Sequence, residues 1–159
     1  MAYLIVISLH AIGGIVCFIA GCELLIRLEE AERSARWFSI YAWGLGGLIA
    51  FLIVAVAVHW RALPMIRQAI DVALIGLALY MAWRARAAWA VQTAAAPGWR
   101  AQYADDIGLT LISLFDGFAI VTAIDLSAPG WLVAAVAVLG VLVGQRVLAR
   151  VKAGTVRSA

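Results

Sequence analysis

One histidine and two aspartates stand inside apolar stretches of this chain, and these are residue types that do chemistry within a membrane. His10 lies in the run Tyr3–Ile26, Asp71 in Ile66–Trp83 and Asp116 in Ile107–Ile124. A charge at mid-bilayer costs several kcal/mol even on lenient scales, so an ionisable group there points to function by default. An imidazole can take up and give back a proton near neutral pH. A carboxyl can hold a proton or a cation. Arg67 precedes Asp71 by four residues, which is the spacing of an i,i+4 ion pair on a helix. Counted from the outer ends of their runs, His10 is roughly 10 Å down, Asp116 roughly 12 Å and Asp71 roughly 7 Å. His10, Asp71 and Asp116 therefore fall in a similar outer layer on three separate runs, and the expected cluster has His10 facing Asp116, with Asp71 and Arg67 nearer the outer surface. It can relay protons, bind a cation or hold a polar headgroup. The competing reading is that these groups bond to one another or to backbone and fix helix packing.

His10 is also a candidate metal or haem ligand. His10 and His59 are the two histidines of the chain. His59 falls at the boundary while His10 is about two turns deeper, so they do not form a level axial pair for one haem b. A haem on one histidine, or a metal held by His10 with Asp71 or Asp116, is left. Soluble-type catalysis has no motif to carry it. There is no Gly-x-Ser-x-Gly elbow, no phosphate loop and no His-Glu-x-x-His helix. The sequence therefore favours a non-enzymatic role.

The elements that position these residues follow from composition. The chain is 66% hydrophobic and 13% charged, with mean hydropathy +1.02. A soluble domain of 159 residues buries too small a fraction of its surface to hide so much apolar material. In a bilayer, lipid covers it. Five apolar runs appear, at about 3–26, 37–60, 66–83, 107–124 and 131–148. Each is about the length that crosses the hydrocarbon. A lipid-exposed backbone must satisfy its own hydrogen bonds, so the runs are helices. The expected fold is all-α, a polytopic membrane protein built as a single five-helix transmembrane bundle. The first run has no basic region before it and is followed by Arg27-Leu-Glu-Glu-Ala-Glu-Arg-Ser-Ala-Arg36. This reads as a retained membrane helix rather than a secretory signal.

Small residues mark the faces where helices meet. His10, Gly13, Gly14, Cys17 and Gly21 recur at three- and four-residue steps in the first run. Gly44, Gly46 and Gly47 thin the second, and Gly140 and Gly144 form a Gly-x-x-x-Gly pair in the fifth. Such faces let helix backbones approach closely in lipid, within the fold or between protomers. Cys17 and Cys22 are about 140° apart around one helix, so they are read as two reduced thiols. Ser8, Ser39 and Ser113 are isolated and suit back-bonding to their own helices.

Lys and Arg separate inside from outside. Alternate connections collect Arg27, Arg33, Arg36, Arg84, Arg86, Arg100, Arg146, Arg150, Lys152 and Arg157 on one side, against Arg61 and Arg67 on the other. Ten against two places the rich side in the cytoplasm, with the N-terminus out and the C-terminus in. Tyr3, Trp60 and Trp131 fall at the outer boundary and Trp37, Trp83 and Trp89 at the inner one, as an aromatic belt requires. The net charge of +3 is accounted for by orientation, so nucleic acid is not an expected partner. Asp105 and Asp106 are expected at the entrance to the fourth helix, where negative charge suits the dipole. The stretch from Arg84 to Asp106 is the longest connection. Its first part can continue as an amphipathic extension through Ala88 and Trp89, lying along the headgroups.

The opening Leu9-His10-Ala-Ile-Gly13-Gly14, with its charged inner loop and second glycine-rich span, resembles small bacterial multi-pass membrane proteins. It is similar to copper-resistance membrane proteins and relatives of b-type cytochromes, which carry a histidine near the outer end of an early helix. The resemblance covers about the first sixty residues, and His10 is the residue it implicates, as a metal or haem ligand. Two functions are expected from the whole sequence. The first is an inner-membrane accessory or assembly component that packs against other subunits or itself. The second is a small transport or proton/electron-relay protein using the buried His/Asp cluster.

Overall fold

The computed structural model describes residues 2–28, 31–95 and 97–157, without the side chains of residues 2, 3, 31–34, 62 and 154–157. The Tyr3, Arg33 and Arg157 side chains, used above for the belt and the charge count, lie outside the described residues. Among the described residues there are five α-helices: α1 (Ala2–Ile26), α2 (Ala31–His59), α3 (Met65–Ala94), α4 (Trp99–Asp125) and α5 (Gly130–Arg157). No strand occurs among them. All five helices contain a segment long and apolar enough to cross a membrane: Leu4–Ile26, Ala35–His59, Met65–Ala94, Trp99–Asp125 and Gly130–Ala153. Large apolar side chains point outward along them, with Trp43 83% and Phe118 70% exposed. Water would penalise that surface and lipid does not. The chain is a multi-pass membrane protein.

Hydropathy and helix length part company on both sides of the connection between α3 and α4. The apolar run of α3 stops at Trp83, yet the helix continues unbroken to Ala94. The apolar run of α4 starts at Ile107, yet the helix starts at Trp99. The reason is local. Arg84, Ala85, Arg86, Ala87, Ala88, Ala90 and Gln92 are strong helix formers, so the backbone keeps its ladder after the apolar signal has ended. The stretch after Trp83 is thus part of α3 itself. The break falls at Ala95, with φ 48°, and Gly98, with φ 78°, around Pro97, which lacks an amide hydrogen. Asp105 and Asp106 consequently sit two turns inside α4, not at its entrance.

The other turns are equally short. After α2, a 3-10 turn (Trp60–Ala62) leads to Pro64, whose carbonyl accepts from the amides of Arg67 and Gln68. Gln68 Nε2 donates to the carbonyls of Trp60 at 2.8 Å and Leu63 at 3.3 Å and ties the turn to α3. After α4, Ser127 adopts φ 57°. The amide of Ala128 reaches the carbonyl of Ala123, closing the helix end. Pro129 stands immediately before α5, and its carbonyl accepts from the amides of Leu132 and Val133.

The chain forms two compact units, Met1–Trp83 and Arg84–Ala159. In the first, α1 packs antiparallel to α2 along a buried stripe of Cys17, Ala20, Gly21 and Leu24, facing Tyr41, Gly44, Leu45 and Leu48. A Cβ on Gly13 would lie 3.0 Å from the Leu48 amide nitrogen, and one on Gly44 only 2.9 Å from that of Cys17. Both are backbone atoms, so the helices themselves would have to part. In the second unit, α4 packs antiparallel to α5 in a regular register. Gly108 faces Leu148, Ile112 faces Gly144 and Asp116 faces Gly140. Each pair sets one large group against one glycine.

These contacts predict opposite outcomes for two neighbouring glycines. Gly44→Ala must push α1 from α2 and is expected to cost about 1–3 kcal/mol. Gly46→Ala meets nothing within 4 Å and should be neutral or stabilising by up to about 1 kcal/mol through helix propensity. Thermal unfolding in detergent, followed by circular dichroism, checks the pair.

Candidate functional site

Three polar settings are built into the two units. The first holds His10. Its Nδ1 lies 2.9 Å from the main-chain carbonyl of Leu48. A carbonyl only accepts, so Nδ1 carries the hydrogen and, in the neutral ring, Nε2 carries the lone pair. Gly13 and Gly14 flank the contact and let α2 come close enough for the imidazole to reach backbone. A carbonyl holding Nδ1–H is also how ligating histidines are oriented. Among the described residues, however, no three His, Cys, Asp or Glu come together as a metal site. The outer surface of the same helix pair carries an open apolar groove of about 450 Å³, lined by Leu9, Gly13, Trp43, Gly44 and Phe51 among others. It offers lipid tails a surface and brings no charged group.

The second setting is a double ion pair in the other unit. Arg84 Nε, on α3, lies 2.7 Å from Asp106 Oδ1 on α4. Lys152 Nζ, on α5, lies 2.7 Å from Asp105 Oδ1. Adjacent acids thus tie three helices together. The two pairs differ in setting. Asp106 is 4% exposed, while the Asp105–Lys152 pair is half-exposed. The Arg84–Asp106 contact is a meeting of charges rather than a well-angled hydrogen bond, and Asp106 Oδ2 has no hydrogen-bond partner among the described residues. Around it Trp99 stacks edge-on to the buried Tyr103 at 5.9 Å, and the Arg100 guanidinium lies 5.8 Å from the Trp99 ring centre. Thr110 Oγ1 donates back to the Ile107 carbonyl at 2.7 Å. Ser39 does the same to Ala35 at 3.1 Å.

The third setting is Asp116, near the middle of α4. It is 7% exposed, and its Oδ1 has no hydrogen-bond partner among the described residues. Oδ1 occupies the space that a side chain at position 140 would need, so a Cβ on Gly140 would overlap it. Gly140 and Gly144 are used here, inside the fold, against Asp116 and Ile112.

His10, Arg67 and Asp71 belong to the first unit and Asp116 to the second. Arg67 and Asp71 are both half-buried, one turn apart on α3. His10 engages a backbone carbonyl, and Asp116 faces a glycine. The ion pairs Arg84–Asp106 and Lys152–Asp105 were missed from sequence, because Asp105 and Asp106 read as helix-end charges. The signal was Arg84 and Lys152, two bases near two acids. No family model, curated protein or solved structure matches this chain.

The two ion pairs should respond differently to mutation. Arg84→Met leaves Asp106 buried without a counter-charge and is expected to cost about 3 kcal/mol. Adding Asp106→Asn should recover much of that loss. Lys152→Met, at a half-exposed pair, should cost less than about 1 kcal/mol. Unfolding midpoints in detergent, read by tryptophan fluorescence, compare the three. Equal losses for the two single variants would count against burial as the deciding factor.

Proposed function

We propose that this chain is an accessory or assembly component of the inner membrane that packs against other membrane subunits, N-terminus outside and C-terminus inside. The observation that carries this reading is the division of labour on α5. Gly140, Gly144 and Lys152 are used internally on α4, while Leu132, Leu139, Val143 and Val147 remain outward and exposed. The ion pairs Arg27–Glu23, Arg84–Asp106 and Lys152–Asp105 likewise engage charges within the chain. A large aliphatic outer surface with short connections suits a subunit whose work is packing. The ten-to-two division of Lys and Arg supports the orientation.

A second reading is favoured by one observation. Asp116 is an acid inside a membrane-spanning helix that no internal pair accounts for. A relay or transport role would use it, alone or with His10, Asp71 and Arg67.

Two measurements test the first reading. In mild-detergent extracts of native membranes, the chain should migrate on native gels in a band larger than the purified chain forms alone. Identical migration would argue against an accessory role. In a Cys17→Ala, Cys22→Ala background, cysteines placed at Ala35 and Ala153 should resist an impermeant maleimide in intact cells. One at Ser127 should react. The reverse pattern would invert the proposed topology.

A further inference from the structure

We propose that Asp116 is a proton-binding site within the membrane, a carboxyl that takes up and releases one hydrogen ion where α4 meets α5. The proposal deepens the relay reading and rests on it only for its biological use. The chemistry stands on the setting of the side chain.

Three observations carry it. The first is burial without a partner. Asp116 is 7% exposed, and among the described residues nothing donates to Oδ1. A bare carboxylate needs donors or a counter-charge. The neutral acid brings its own donor, a hydroxyl that a carbonyl can accept. The second is the charge environment. Besides Asp116, α4 has no ionisable residue between Asp106 and Asp125, and α5 has none before Arg146. Arg84 meets α4 at Asp106, ten residues or roughly 15 Å along the helix, and Arg86 follows it on α3. No cation on these segments is level with the carboxyl. The third is the seat itself. The facing residue is Gly140, whose missing side chain is the space Oδ1 fills. A residue with a Cβ there would expel the carboxyl, so the α4–α5 contact accommodates an acid at this point.

The donor set fixes the class of ligand. A metal ion requires several ligands around it, and among the described residues no group of three or more His, Cys, Asp or Glu forms. A proton is the cation that one carboxyl holds alone. The flanking seam is apolar, with Ile112 against Gly144 on one side and Ile120 one turn away on the other.

The test uses the full chain in lipid nanodiscs and two readouts. Infrared spectra of parent and Asp116→Asn are compared from mildly acidic to mildly alkaline buffer. The parent should show the carbonyl stretch of a protonated carboxyl, absent from Asp116→Asn and fading as buffer pH rises. The second readout is dicyclohexylcarbodiimide. The acid O–H adds across one C=N bond, forming an O–C and an N–H bond with no leaving group, so only the neutral acid reacts. Peptide mapping should find the adduct on Asp116, declining at alkaline pH. A parent spectrum identical to that of Asp116→Asn at every pH would overturn proton binding. A band and an adduct that ignore buffer pH would overturn exchange. Because Asp116→Asn could lose its fold, Asp116→Glu serves as a second variant and should retain a titrating band at a shifted frequency. Neither readout depends on native partners, so failure here leaves the accessory reading standing, and failure of that reading leaves this one standing.

Discussion

In hydrocarbon, apolar surface gains nothing by leaving one oily neighbour for another, so helices in a membrane are held by fit. The close contacts along the α1–α2 and α4–α5 seams follow from that constraint. Where α4 meets α5, a large group on one helix meets a glycine on the other at each turn, and the large group changes sides: Leu148 over Gly108, Ile112 over Gly144, Asp116 over Gly140. Where α1 meets α2, Gly13 and Gly44 bring backbone against backbone. That proximity is what lets His10 reach a main-chain carbonyl on the neighbouring helix. The same glycine chemistry thus sets both the packing and the polar contacts.

Charge is handled according to position along the helices. At the boundary, acids and bases are present together, and the structure pairs them. Arg84 with Asp106 and Lys152 with Asp105 join α3, α4 and α5. Broken pairs at exposed positions are rescued by water; broken pairs at buried ones are not. Mid-helix, the chain supplies an acid without a base on the facing segment of α5. Asp116 is accommodated by space rather than by a counter-charge, which distinguishes it from Asp105 and Asp106.

Much of the architecture was legible in the sequence. Five apolar runs of membrane length, without the alternation of a β-barrel, dictate five helices, because only a helix satisfies its backbone hydrogen bonds within a single segment. Ser39 back-bonds to its own helix, and Glu23 meets Arg27 one turn on, as residue type and spacing require. The ends of α3 and α4 were not legible. Hydropathy reports where lipid stops, while the helix stops where Pro97 and Gly98 interrupt the ladder. Those two points are about three turns apart on α3, and Arg84, which pairs with Asp106, lies in the gap between them.

Composition and periodicity by themselves determined the class of the chain, the number of its helices and which ionisable residues stand within its apolar runs. These follow from local physics: hydrocarbon thickness, backbone hydrogen bonding and the cost of moving a charge into oil. Tertiary structure decided what each of those residues meets. A helix can turn any face toward a neighbour, and one residue of register changes every facing pair. Sequence could nominate Gly140 and Asp116 separately. The α4–α5 contact set one against the other, because shape, and not hydrophobicity, selects the register between two apolar helices.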